Sequence, residues 1–153
     1  MLTLLEAARQ ALQATGWPLT ESPEPPELRT VYKGQNGEFI GFIRLDQAAG
    51  LFAFYSAAPA IPPAERRLAV AEYLTRANSA LMLGNFEMDL GGGAALFKTS
   101  ALFEADPSPD VIKRLLEINV ETMDMYLPGL LAVSAGDLRP AEAVARVEGG
   151  HGI

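Results

Sequence analysis

The chain has no cysteine and one histidine, His151, in a Gly-rich C-terminal stretch. Disulfide frameworks, thiolate nucleophiles, zinc sites and His-based triads therefore lack their essential residues. Positive charge is also scarce. Twelve Lys and Arg face nineteen Asp and Glu, a net −7, and the isoelectric point near 4.7 opposes phosphate backbones and anionic lipid. No direct nucleic-acid contact is expected. The start, Met1-Leu2-Thr3-Leu4-Leu5-Glu6, lacks a basic segment and a small-residue cleavage pattern, so no secretory signal is read and a cytoplasmic location is expected. The longest uncharged run, Gln47 to Ala64, is interrupted by Pro59, Pro62 and Pro63. Its first half reads as a buried strand, so no membrane contact is expected.

What is present suits one folded domain. With 153 residues, 49% of them hydrophobic and 20% charged, the chain can bury a core and is read as a single domain over 1–153. The core spans about 2–136, and 137–153 form a short appended helix and a flexible tail. Residues 2 to 15 carry Leu4, Leu5, Ala8 and Leu12 at helical spacing, with Gly16 at the end. Trp17 to Glu27 holds four prolines and reads as an extended connector without ladder bonds. Leu28–Lys33, Glu38–Asp46 and Leu51–Ser56 read as strands, and Asn36-Gly37 predicts a type I′ hairpin turn.

A helix is predicted from Pro63 to Met82, stopped by Gly84. Asn85–Leu90 alternates with period two, Gly91-Gly92-Gly93 reverses the chain, and Ala94–Glu104 forms a second hairpin arm. Ser108 and Pro109 open a long helix through Ile112, Leu115, Asn119, Met123 and Tyr126, which Pro128 should kink or end near Leu127. Pro140 to Val147 forms a last short helix. The order α-β-β-β-α-β-β-α describes an α+β domain, an antiparallel sheet of about five strands covered by helices.

Few residues tempt a chemical reading. Gly91-Gly92-Gly93 joins two strands and opens no helix, so it lacks the parts of a phosphate loop. Glu87 and Asp89 share a strand face predicted to be wet and have no catalytic companion. Asn78 and Asn119 sit on or beside apolar stripes, where a buried amide must be satisfied; they read as brackets between helix and sheet. Asp124 either accepts from backbone donors in adjoining loops or is an ordinary exposed acid. No serine has a nucleophile-elbow context. No catalytic residue, cofactor or metal ligand is assigned. The helix Pro63–Met82 carries more apolar surface than one sheet contact needs, with Val70, Leu74, Ala77 and Leu81 in one stripe and Tyr73 beside it. These five residues predict a partner surface, and the simplest partner is a second copy by a two-fold axis.

Ala71-Glu72-Tyr73-Leu74 leading to Asn78, then Gly84-Asn85-Phe86-Glu87-Met88-Asp89, Asn119, Met123-Asp124, Tyr126-Leu127-Pro128 and Val133 form a spaced set over about 64–136. The set resembles the YbjN family, described as bacterial sensory-transduction regulators. The resemblance implies a type III secretion chaperone-like fold and a small, acidic, dimeric α+β module that binds other proteins. No catalytic residue is carried over. The matching residues, Asn78, Gly84, Phe86, Asn119, Asp124 and Pro128, are expected to be fold determinants. Two functions follow as expectations. The first is a non-catalytic chaperone-like or adaptor dimer whose protein partner is basic, such as a nucleic-acid-binding or stress-response protein. The alternative is a regulatory sensor holding a small ligand between sheet and long helix, near Phe52, Phe54 and Tyr126.

Overall fold

The computed structural model describes residues 1–23 and 26–150. Glu24 and Pro25 of the predicted connector, and His151 to Ile153 of the predicted tail, lie outside them. The elements are α1 (Leu4–Thr15), β1 (Thr20–Pro23), β2 (Pro26–Lys33), β3 (Glu38–Asp46), β4 (Leu51–Ala57), a 3-10 turn at Ala64–Arg66, α2 (Arg67–Asn78), β5 (Asn85–Met88), β6 (Ala95–Leu102), α3 (Pro109–Ala135) and α4 (Pro140–Glu148). The strands make one six-stranded sheet in the order β1-β2-β3-β4-β6-β5, antiparallel at every pair. The α+β class and the antiparallel sheet agree with the sequence reading, and one more strand is present.

That strand lies in the predicted connector. Thr20–Pro23 pairs with β2 at the sheet edge, where a proline's missing donor faces no outer neighbour. Arg9 of α1 holds Glu21 at 2.8 Å and draws the segment toward the helix. The β2–β3 hairpin closes differently from a type I′ turn. Gly34 N–H donates to Gly37 O, placing Gln35 and Asn36 at the centre, and among the described residues no non-glycine has positive φ. A type I′ turn needs positive φ at both central residues, so the conformation is excluded.

The starts of α1 and α3 use short polar side chains. Thr3 and Glu6 form a capping box on α1, and Ser108 accepts from Val111 N–H ahead of Pro109 in α3. Both satisfy amides that an α-helix leaves orphaned. The inner face of the sheet presents Leu28, Phe39, Ile43, Phe52, Phe54 and Phe97, all buried, to α1 and α3. Helix α3 is the centre of the helical layer, touching β4, β6, α1, α2 and α4. Residues past 136 also join the core, since Ala143 and Val144 of α4 are buried in it.

Asn119 ties α3 to the sheet. It is fully buried; its Nδ2 donates to Phe54 O at 3.0 Å and Phe97 O at 2.9 Å, and its Oδ1 accepts from Ser56 Oγ at 2.6 Å. A buried amide so connected costs little, and its loss orphans several groups at once. Asn119→Leu should destabilise the fold by about 3 kcal/mol or more. Thr30 Oγ1 is the buried side-chain polar atom without a partner among the described residues. Thr30→Val should therefore be neutral or stabilising within about 1 kcal/mol. Urea unfolding of the two variants measures both.

Candidate functional site

The partner surface predicted on α2 is not a surface. Val70, Tyr73, Leu74 and Ala77 are 0–3% exposed, and Leu81 is half-buried against the same core. The reason is α4, which packs on α2 as well as on α3 and covers the second apolar face. Ala143, Val144 and Val147 at helical spacing were the sequence signal for this.

The motif residues lie where backbone groups need partners. Asn78 ends α2, and its side chain turns to the outer edge of β5: Phe86 N–H donates to Asn78 Oδ1 at 2.7 Å, and Asn78 Nδ2 donates to Phe86 O at 3.1 Å. The amide thus substitutes for a missing neighbouring strand, and the helix stops at Asn78 instead of continuing to Met82. Gly84 adopts φ 78° with the Phe97 ring beside its Cα, a conformation and an approach that any Cβ would obstruct. Phe86 is packed edge-on against Phe97 at 4.7 Å and Tyr126 at 5.5 Å. The Tyr73 hydroxyl passes over Gly129, which has no side chain to block it, and donates to Tyr126 O at 2.7 Å. Tyr126 in turn donates to Glu148 of α4 at 2.7 Å. Phe52, Phe54 and Tyr126, the expected ligand-binding neighbourhood, are 0–2% exposed and packed into the core.

Asp124 and Pro128 form one device with the β2–β3 hairpin. Both Asp124 oxygens accept backbone N–H groups, from Gln35 at 3.0 Å and Asn36 at 2.9 Å. Pro128 has no N–H to give Asp124 O, its partner four residues back. Asn36 Nδ2 donates to that carbonyl at 3.0 Å instead. Helix α3 accordingly runs through Pro128 to Ala135 and does not end near Leu127. A groove of about 660 Å³ opens beside this junction, lined by Tyr32, Asn36, Glu121, Asp124 and Pro128 among others.

The acidic strand pair separates by role. Glu87 holds Lys98 across the β5–β6 pair, and Asp89 accepts from Gly91 and Gly92 N–H at 3.1 Å to shape the glycine turn. At the same end, Arg67 donates to Pro62 O and to Gly91 O. Exposed Ile61, Leu68 and Leu90 are the chain neighbours of Pro62, Arg67 and Gly91.

The sequence reading missed the outer face of the sheet. The helices lie on one side, and the outward positions form rows across the other. One row reads Arg29, Phe42, Tyr55, Lys98. Phe42 and Tyr55 stack at 5.2 Å and 15°, with Arg44 at 5.2 Å and 5.6 Å from the two rings. Val31 and Ile40 pair in the next row, and Leu51 and Leu102 at the far end; Ile40, Leu51 and Leu102 are 46–59% exposed. The strict alternation of Phe42 with Ile43 and of Tyr55 with Phe54 was the available signal, because period two places the larger apolar residues on both faces.

Two measurements test these contacts. Asn36→Ala should cost about 1 kcal/mol, and clearly less when combined with Pro128→Ala, whose restored N–H takes Asp124 O; a double-mutant cycle in urea reads the coupling. Burial, first of all, raises the hydroxyl pKa of Tyr73 and of Tyr126 above the ordinary value of 10.0. Both phenols are favoured neutral in the fold, so their contribution is complete below pH 10 and is lost as pH rises beyond it. Stability should fall above pH 10 as tyrosinate absorbance rises, and Tyr73→Phe should flatten that fall.

Among the described residues, no helix is long and apolar enough to cross a membrane. A search of curated proteins returned no match. Among solved structures, the chain is similar to one titled "Crystal structure of YbjN, a putative transcription regulator from E. coli", with a TM-score of 0.60, 17% identity, and coverage of 86% of this chain and 93% of that one. At that identity the likeness is one of fold. The family YbjN, "Putative bacterial sensory transduction regulator", matches residues 5–132, and by that match the chain belongs to the YbjN family.

Proposed function

We propose that this protein is a non-catalytic, cytoplasmic regulatory module that acts as a homodimer by holding a segment of another protein. The observation that carries this reading is the cluster at the start of α2. Ile61, Leu68 and Leu90 are 57%, 76% and 53% exposed, and Arg67, the residue before Leu68, donates to the carbonyls of Pro62, Leu90 and Gly91 beside them. Isolated exposed apolar residues need no explanation, whereas a clustered group held by a rigid anchor has the character of a contact site. Exposed Glu65, Glu72 and Asp89 lie in the adjoining segments. Arg66, Arg67 and Arg76 lie there too, and Arg76 pairs with Glu72, so it is the net charge of the whole chain, −7, that favours a basic partner with apolar side chains and steers its approach. A basic nucleic-acid-binding protein has that chemistry.

The family's description as a regulator agrees with a role in binding. Asp89 and Asp124 serve backbone donors, and Glu87 pairs with a cation. The ligand reading loses its place near Phe52, Phe54 and Tyr126, which fill the space between sheet and helix.

Immobilised wild-type chain should capture a basic protein from a bacterial lysate, and raising salt from 50 to 500 mM should release it. The double variant Leu68→Asp, Leu90→Asp should lose that protein while keeping its fold by circular dichroism. Equal capture by the variant, or capture indifferent to salt, overturns the reading.

A further inference from the structure

We infer that the outer face of the sheet seats a second copy of this chain, face to face. The inference rests on the dimeric reading above and gives it a contact surface in place of α2. Three observations lead there.

The first is charge. The outward positions of the sheet carry Arg29, Lys33, Arg44 and Lys98 against Glu27, Glu38, Asp46 and Glu87, a balance of 4 − 4 = 0. The whole net charge of −7 therefore resides elsewhere. Two copies meeting through this face bring no net like charge together, whereas the rest of the surface carries the excess of acid. A strongly basic or strongly acidic partner gains no net attraction from it. A self-complementary contact needs both signs on one patch, and the face supplies them, with Arg44 over the central aromatic pair and the acids toward its edges.

The second is composition. Phe42 and Tyr55 stack at 5.2 Å under Arg44, with Val31, Ile40 and Ala53 around them. Tyrosine and arginine on a rigid apolar platform are the residue types that dominate contact energies. The four long strands span about 19 Å by about 26 Å, from spacings of about 4.8 Å and 3.3 Å. That footprint is about 500 Å² as a flat rectangle, and side-chain relief raises its accessible area toward the roughly 800 Å² per partner of a standard interface.

The third is the state of the edges. Asn78 occupies the outer edge of β5 at Phe86, and β1 is four residues long and ends in Pro23. Extension of the sheet from copy to copy is blunted at both ends. Face-to-face packing at about 10 Å is the arrangement left to a sheet with one uncovered apolar side.

The full chain at 100 µM should have twice its 16.4 kDa mass by sedimentation. Ile40→Lys, at a side chain already 49% exposed, should weaken the dimer at least tenfold without loss of fold by circular dichroism. Phe42→Glu should give monomer. Because the chain has no cysteine, Ala53→Cys and Ser100→Cys should cross-link under mild oxidation, and Ala141→Cys on α4 should not. A monomeric wild type, or a dimer indifferent to both Ile40→Lys and Phe42→Glu, overturns the inference; a monomer that binds a different protein through Phe42 does so as well. Leu68→Asp with Leu90→Asp should leave the dimer intact, so loss of client capture and loss of dimerisation are separately readable.

Discussion

A helix can cross this sheet only where every backbone group it disturbs finds another partner. That constraint explains why short polar side chains, and not larger apolar ones, occupy the critical places of α3. Asn119 takes two strand carbonyls and a serine hydroxyl inside the core. Asp124 takes two amides of the hairpin turn, and Asn36 takes the helix carbonyl that Pro128 leaves free. An unpaired buried group costs about 1 to 3 kcal/mol, so these contacts fix position as firmly as packing does. Asn78 applies the same solution at the sheet edge.

The polar chemistry of the molecule is thus directed inward and to its own backbone. Around it, the apolar layer is continuous, from α1 across α3 to α2 and α4. The helical side of the sheet is finished, and the other side is not. Its outward rows hold a stacked aromatic pair and exposed aliphatic residues. An open apolar face of this kind is the sort of surface that marks a contact site.

Legibility differed by the range of the interaction involved. The hairpin of β2 and β3, the strand alternation at Phe86 and Met88, the Ser108–Pro109 helix start and the short α4 were read from local pattern, because each depends on neighbours within a few residues. The edge strand β1 was hidden by prolines, which argue against a ladder in general and permit one at an edge. The end of α3 at Pro128 was wrongly expected because its repair comes from Asn36, 88 residues away from Asp124 in sequence. The α2 stripe was taken for a partner surface because nothing in α2 itself shows that α4 returns to cover it.

By itself, the sequence determined the α+β class, most element boundaries and the absence of cysteine, since composition and periodicity are properties of the chain alone. The tertiary structure decided which apolar face stays open, which amides replace lost ladder bonds, and which turn the hairpin adopts. Those outcomes depend on contacts between distant segments, whose registration the local pattern does not encode.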